Sequence, residues 1–192
     1  MLKASESSAL IESSAARRLD FLGGESIGII GCGHVGRAIA LQLVSGGFPV
    51  DRLRVSRGTS DGSLATILGA GLGPCLAGNE EICRDCSIIF ICIRPQSLPE
   101  LQPLTFSRNA LVVSCMAGVS LPAIRRLLGV EAVRMMPSGP DSILGGKGIA
   151  AIYPHNQALS QVLQALGLRI FELAAEGQMH IFTAGICLPA AL

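Results

Sequence analysis

The feature that most constrains the fold is a glycine-rich hexapeptide, Gly31-Cys32-Gly33-His34-Val35-Gly36, which lies between two different hydrophobic patterns. An apolar run at residues 26–30 precedes it, and apolar residues recur at helical spacing over residues 35–44. A strand, a tight glycine turn and a helix in this order begin a βαβ unit. In that context the spacing G-x-G-x-x-G predicts a dinucleotide-binding turn, with a purely structural turn as the alternative.

Predicted strands and helices alternate along the rest of the chain. Further strands are predicted at residues 52–56, 74–76, 87–93, 110–115, 133–136, 148–153 and 168–173. Helices are predicted at residues 63–69 after an Asp61 N-cap, 80–83, 97–104, 121–128 after a Ser120 N-cap, and 157–166. This alternation predicts an α/β fold of the Rossmann type, a doubly wound and mostly parallel sheet with helices on both faces.

Residues 25–175 are expected to form this nucleotide-binding domain. An N-terminal extension, residues 1–24, is expected to be helical or flexible, and residues 176–192 are expected to begin a truncated C-terminal helical segment. With 15 basic and 14 acidic side chains the formal net charge is +1, so we expect no nucleic-acid partner. The densest apolar run, residues 88–93, has the length of a strand, so we expect no membrane span.

The seven cysteines lie mostly within apolar runs, which favours a reducing compartment over a secreted disulfide framework. We therefore expect a cytoplasmic location. A mitochondrial one stays open because residues 1–24 are rich in Ser and Ala and carry Arg17 and Arg18. Cys83 and Cys86 have C-x-x-C spacing but no second pair or histidine to complete a metal site, so we expect a structural role and no metal.

The type of nucleotide is read at the end of the second predicted strand, where NAD-specific domains usually carry a carboxylate for the ribose 2′-hydroxyl. This chain has Val55-Ser56-Arg57-Gly58-Thr59 there. A 2′-phosphate would find the Arg57 guanidinium and the hydroxyl groups of Ser56 and Thr59. The sequence therefore predicts NADP as the cofactor, and a solvated Arg57 is the alternative.

Further segments resemble the pyrroline-5-carboxylate reductase family, in the order in which that family carries them. Ser56-Arg57 is similar to its phosphate-binding turn, and Asn79 to its adenosine-side asparagine. Residues 91–96, I-C-I-R-P-Q, are similar to a strand ending in Lys-Pro-Gln, and residues 113–119 to V-S-x-x-A-G-V. Residues 133–140 resemble R-x-M-P-N-T-P. The resemblance covers residues 26–184 and includes the diverged NADP-dependent oxidoreductase-domain relatives of the family.

The resemblance implies an NADP-dependent oxidoreductase of proline biosynthesis, which transfers a hydride from NADPH to a small-molecule substrate, a cyclic imine carboxylate. The implied cofactor-binding residues are Gly31, Gly33, His34, Val35, Gly36, Ser56, Arg57, Asn79, Ile93, Arg94, Pro95, Ala117 and Gly118. The implied substrate residues are Met136, Pro137 and Ser138. No catalytic residue is assigned.

Three departures from the family pattern leave the activity open. Arg94 replaces a lysine, and Ser138-Gly139 replace an Asn-Thr pair near the substrate. Residues 183–191 stand where the family begins a helical domain that forms its dimer, so a homo-oligomer through this segment stays open. One alternative is a catalytically silent NADP(H)-binding or partner-binding module. Another is a reductase with a similar N-terminal domain, such as a deazaflavin-dependent NADP reductase or a hydroxyacid dehydrogenase.

Overall fold

The computed structural model describes residues 19–58 and 61–187, and within these residues seven strands form one sheet in the order β2-β1-β3-β4-β5-β6-β7. The strands are β1 Ile27–Ile30, β2 Leu53–Val55, β3 Ile88–Ile91, β4 Leu111–Ser114, β5 Ala132–Pro137, β6 Ile149–Tyr153 and β7 Arg169–Glu172. All neighbouring strands are parallel except β5 and β6. The predicted doubly wound, mostly parallel sheet is confirmed.

Helices cover both faces of the sheet. They are α1 His34–Ser45, α2 Asp61–Gly69, α3 Asn79–Asp85, α4 Leu121–Leu128, α5 Pro140–Leu144, α6 Gln157–Ala165 and α7 Gln178–Phe182, which continues as a π-helical turn at Thr183–Cys187. Successive residues of β3 alternate between two apolar clusters, with Phe90 in the cluster under α1 and α6 and Ile91 in the cluster under α3 and α4. This two-sided burial explains why β3 is a continuous apolar run.

The order of the strands determines where a ligand site belongs. From β1 the chain moves outward to β2 and then returns to the other side of β1 to form β3. Open α/β sheets bind ligands outside the carboxyl ends of their strands at such a reversal. The hexapeptide follows β1 directly and therefore lies at this position.

Several sequence predictions of local structure were wrong. Residues 74–76 do not form a strand: Gly73–Cys75 is a 3-10 helix, and Leu76 makes one isolated bridge to Val55. Pro74 favours this result because it has no N–H for a ladder. Residues 95–101 also form a 3-10 helix, interrupted by Pro99. The helix predicted after Asp61 includes Asp61 itself.

One helix, α5, has no counterpart among the predicted elements. The expectation for residues 1–24 falls mostly on residues 1–18, which lie outside the described part, as do Thr59 and residues 188–192. In the described part of the chain, no helix has the length and apolarity needed to cross a membrane.

Candidate cofactor site

The glycine turn after β1 owes its shape to two close contacts. Gly31 has a φ of 88°, a left-handed conformation that side chains rarely adopt, and a Cβ added there would lie 2.7 Å from Cγ2 of Ile93. A Cβ added at Gly36 would lie 2.4 Å from the carbonyl oxygen of Gly31. Helix α1 can therefore approach the end of β1 only because both residues are glycines.

Gly33, in contrast, faces open space. Apart from Gly33 and its two chain neighbours, no atom of the described residues lies within 4 Å of a Cβ added there. Gly33 is the N-cap of α1, and the first hydrogen bond of the helix runs from the Arg37 N–H to the Gly33 carbonyl at 2.9 Å. The N–H groups of His34, Val35 and Gly36 therefore have no acceptor in the described chain, as expected of a first helical turn. N–H groups at the N-terminus of a helix are suited to contact an anion, and these three lie beside the open space at Gly33.

The end of β2 is bound tightly to this turn. The Ser56 side chain is buried, and its Oγ accepts a hydrogen bond from the Gly31 N–H at 3.1 Å. The Ser56 carbonyl accepts from the Cys32 N–H at 2.9 Å. Arg57, the next residue, is exposed, and the Gly58 N–H donates to Oγ of Ser63 at 2.7 Å. Arg57 is therefore an exposed cation on a loop that is held at both ends.

The other predicted cofactor residues follow neighbouring strands at the same edge. Asn79 begins α3, and its Oδ1 is buried without a hydrogen-bond partner among the described residues. Arg94 and Pro95 are exposed directly after β3, as are Ala117 and Gly118 after β4. Because carboxyl ends of parallel strands meet at one edge, the structure places these predicted residues on the same side of the sheet.

Known proteins share both the sequence pattern and the architecture. Residues 26–118 match a family described as NADP oxidoreductase, coenzyme F420-dependent. The pyrroline-5-carboxylate reductase of Escherichia coli is 30% identical over 161 residues, which are 81% of this chain and 58% of that protein. A pyrroline-5-carboxylate reductase structure from Coxiella burnetii has a TM-score of 0.72 and 22% identity, over 87% of this chain and 65% of the other. The chain is therefore similar to pyrroline-5-carboxylate reductases in sequence and in fold.

A second reductase structure, from Plasmodium falciparum, contains bound NADP and superposes with a TM-score of 0.69 at 23% identity. The superposition covers 88% of this chain and 64% of the Plasmodium chain. Three further pyrroline-5-carboxylate reductases that the sequence matches are longer proteins, and the chain spans 54–64% of their length.

The predicted substrate segment is less exposed than the glycine turn. Met136 packs in a small cluster with Ala151 and Met179, and Pro137 is buried. The Ser138 hydroxyl lies 2.8 Å from the Ser142 hydroxyl and accepts a hydrogen bond from the Ile149 N–H at 3.2 Å. The three residues therefore lie at the carboxyl edge of β5, with the Ser138 hydroxyl bonded to its own chain.

Four of the cysteine thiols are poor nucleophiles. Burial raises the pKa of Cys32 to about 12, and a smaller increase comes from neighbouring Cys92. The pKa of Cys92 is also raised, first by its interaction with the Cys115 thiol and then by burial. Burial raises the pKa of Cys83 to about 12 and that of Cys86 to about 11. These thiols are protonated at neutral pH, as expected of packing residues.

Sequence reasoning missed one polar pair near this edge. Arg134 of β5 is 2% exposed, and its Nη1 lies 3.1 Å from Oε1 of Glu176. The same oxygen accepts a hydrogen bond from the Leu121 N–H at 2.8 Å, so Glu176 caps α4. Nε and Nη2 of Arg134 have no partner within the part of the chain that the structure describes. A single arginine in a buried strand was the available signal, because a buried cation requires an anion.

Proposed function

We propose that this chain binds NADP(H) at the carboxyl edge of its sheet and, as a reductase, promotes hydride transfer to a cyclic imine carboxylate. The observation that carries the proposal is the turn after β1, where three N–H groups without acceptors lie beside the open face of Gly33. Such a site fits a pyrophosphate, which brings negative charge and acceptor oxygens to the positive end of a helix. The reductase relatives described above support the choice of reaction.

The residues at this edge suit the remaining parts of the cofactor. The unpartnered Oδ1 of Asn79 would accept a hydrogen bond from the adenosine. The exposed residues Arg94, Pro95, Ala117 and Gly118, together with Ile93, would line the ribose and nicotinamide. When bound, the cofactor supplies the hydride. The protein would position the substrate against it and exclude water.

Arg57 supports NADP over NAD. Its guanidinium is exposed on a loop fixed by Ser56 on one side and by the bond from Gly58 to Ser63 on the other. Arginine binds phosphate through charge and paired hydrogen bonds. From Val55 to Gly58 the sequence has no carboxylate to repel a 2′-phosphate.

A second candidate function is an NADP(H)-binding module without turnover. It is favoured by Ser138, a residue that is only 7% exposed. The Ser138 hydroxyl is hydrogen-bonded to the Ser142 hydroxyl and to the Ile149 N–H. A substrate would find few free polar groups there. Met136, Pro137 and Ser138 are nevertheless our proposed substrate residues, because they follow the cofactor edge on β5.

We further propose that residues 25–175 act as the nucleotide-binding domain, that the protein works in the cytoplasm or the mitochondrion, and that the C-terminal segment joins copies of the chain. Ile181 of α7 is 74% exposed, and Ile186 and Phe171 are also exposed. Exposed apolar side chains can contribute to an interaction surface.

The test is a calorimetric titration with NADPH and with NADH, followed by a pyrroline-5-carboxylate turnover assay. We compare the natural chain with Arg57→Ala. The matched control is Arg125→Ala, since Arg125 is an exposed arginine on α4, paired with Glu131. Loss of hydrogen bonds to a charged phosphate, about 1.5–3 kcal/mol, predicts a rise of roughly 10- to 100-fold in the dissociation constant of NADPH for Arg57→Ala alone.

The affinity for NADH should stay the same in both variants. Turnover by the natural chain would support the reductase, and binding without turnover would support the silent module. Failure of the natural chain to bind either nucleotide would overturn the proposal.

A further inference from the structure

Ser56 lies between β2 and the pyrophosphate turn. Its contacts differ from the phosphate-binding role that the family resemblance implies for it. All its backbone and side-chain polar groups point toward β1: its N–H donates to the Ile29 carbonyl at 2.9 Å, its carbonyl accepts from Cys32 at 2.9 Å, and its Oγ accepts from Gly31 at 3.1 Å. The residue is 4% exposed. Ser56 therefore binds the first two residues of the turn.

The bond to the Ser56 hydroxyl meets a specific need of Gly31. Gly31 is buried in a left-handed conformation, close to Ile93 and Cys92. A buried N–H without an acceptor is unfavourable, and the hydrogen bond to Oγ of Ser56 satisfies the Gly31 N–H. The same turn determines the position of the free N–H groups of His34, Val35 and Gly36. Removing the hydroxyl would therefore disturb the pyrophosphate site without touching the ligand.

Ser56 and Arg57 also differ in the surroundings of their side chains. The Ser56 hydroxyl is bonded to the Gly31 N–H, inside the turn. The burial pattern agrees, because Ser56 is buried and Arg57 is exposed. Of these two residues, only Arg57 has a side chain that is open to a ligand from solvent.

We infer that Ser56 is a positioning residue, which shapes the pyrophosphate turn through Gly31 and contributes equally to binding NADPH and NADH, while Arg57 alone of the two recognises the 2′-phosphate. This inference rests on the proposed cofactor site. It gives the two neighbouring residues separable effects, one on affinity for any dinucleotide and the other on the preference for NADPH.

The experiment compares Ser56→Ala, Ser56→Thr and Arg57→Ala, with Ser107→Ala as a control at an exposed serine far from the turn. Dissociation constants of NADPH and NADH are measured for each variant, and amide hydrogen exchange at residues 31–33 is followed without nucleotide. Because one neutral hydrogen bond is lost, we expect Ser56→Ala to weaken the binding of NADPH and of NADH by the same factor, roughly 5- to 10-fold. Amide hydrogen exchange at Gly31 should become faster. Ser56→Thr keeps the hydroxyl and should restore both readouts.

Weaker binding of NADPH alone in Ser56→Ala would overturn the inference, because it would make Ser56 a ligand of the 2′-phosphate. Unchanged affinity for both nucleotides would overturn it as well. If the natural chain binds neither nucleotide, the proposed function fails, and the exchange data decide the inference separately: faster exchange at Gly31 in Ser56→Ala supports the positioning role, and unchanged exchange removes it.

Discussion

At the scale of single residues, the three glycines of the turn have different tasks, and alanine substitutions separate them. Gly36→Ala would place a Cβ 2.4 Å from the Gly31 carbonyl oxygen, a backbone atom that cannot rotate away. Gly33→Ala would place a Cβ in open space, at a φ of −79° that alanine adopts readily.

We expect Gly36→Ala to lower the free energy of unfolding by about 1–3 kcal/mol through overpacking, and Gly33→Ala to change it by less than about 0.5 kcal/mol. Urea denaturation measures both. Gly33→Ala should nevertheless weaken NADPH binding, because its methyl group projects where the pyrophosphate would lie. Equal stability of the two variants would show that the turn is looser than its contacts indicate.

The sequence predicted where these residues lie in the fold better than it predicted what each side chain contacts. The hexapeptide and the residues after β2, β3 and β4 do lie at one edge of the sheet. The hydroxyl partners were not predictable, because they depend on how the chain folds back in three dimensions. Ser120 illustrates this: it is the N-cap of α4, as predicted, but its side chain makes no capping bond, and the carboxylate of Glu176 from a distant loop caps Leu121 instead.

At the scale of elements, the pair Arg134 and Glu176 joins the segment that leads into α7 to both β5 and α4. Glu176→Gln would keep an oxygen for the Leu121 N–H but leave the buried Arg134 cation without a countercharge. We expect a loss of about 3 kcal/mol in the free energy of unfolding, because breaking one side of a buried pair leaves an uncompensated charge.

The double variant Arg134→Met with Glu176→Gln should be more stable than Glu176→Gln alone, since it also removes the buried charge. The control is Glu131→Gln, which breaks the exposed pair with Arg125 and should cost less than about 0.5 kcal/mol. A double-mutant cycle by chemical denaturation gives these values. If the double variant loses the full sum of both single substitutions, Arg134 is stabilised by contacts other than Glu176.

Helices and strands with a clear periodicity of apolar residues were predictable, and those without such a periodicity were not. The sequence predicted α1, β3 and α4 to within a few residues, because each has a clear apolar pattern. Residues 73–75 have no such pattern, and Pro74 converts what looked like a strand into a 3-10 helix. Helix α5 has five residues flanked by glycines, too few for helical periodicity to show.

At the scale of the whole molecule, alternation predicted the sheet, but it did not predict which pair of strands would be antiparallel. The chain passes from β5 through the short helix α5 into β6, which returns antiparallel to β5. β7 then pairs with β6 and, in the described part of the chain, has no second neighbour. The sheet therefore ends in an edge strand beside α7, and Phe171 of β7 lies 6.3 Å from Phe182 of α7 between ring centroids.

This edge bears on how many copies of the chain associate. Phe171, on the edge strand β7, is 45% exposed, and Ile181, on helix α7, is 74% exposed. An edge strand offers unpaired N–H and carbonyl groups, and exposed apolar side chains beside it lose unfavourable contact with water when a second copy covers them. Covering a fully exposed isoleucine contributes about 1.5–3 kcal/mol, a difference of roughly 10- to 100-fold in an association constant.

Sedimentation equilibrium of the natural chain should therefore show association that strengthens with concentration, and Ile181→Lys should weaken it by at least about tenfold. Leu68→Lys is the matched control, because Leu68 is 54% exposed but lies on α2, on the opposite side of the strand order. If both substitutions weaken association equally, the effect is general apolar adhesion. If the natural chain stays monomeric at high concentration, the C-terminal segment does not join copies of this protein, and its apolar side chains require another partner.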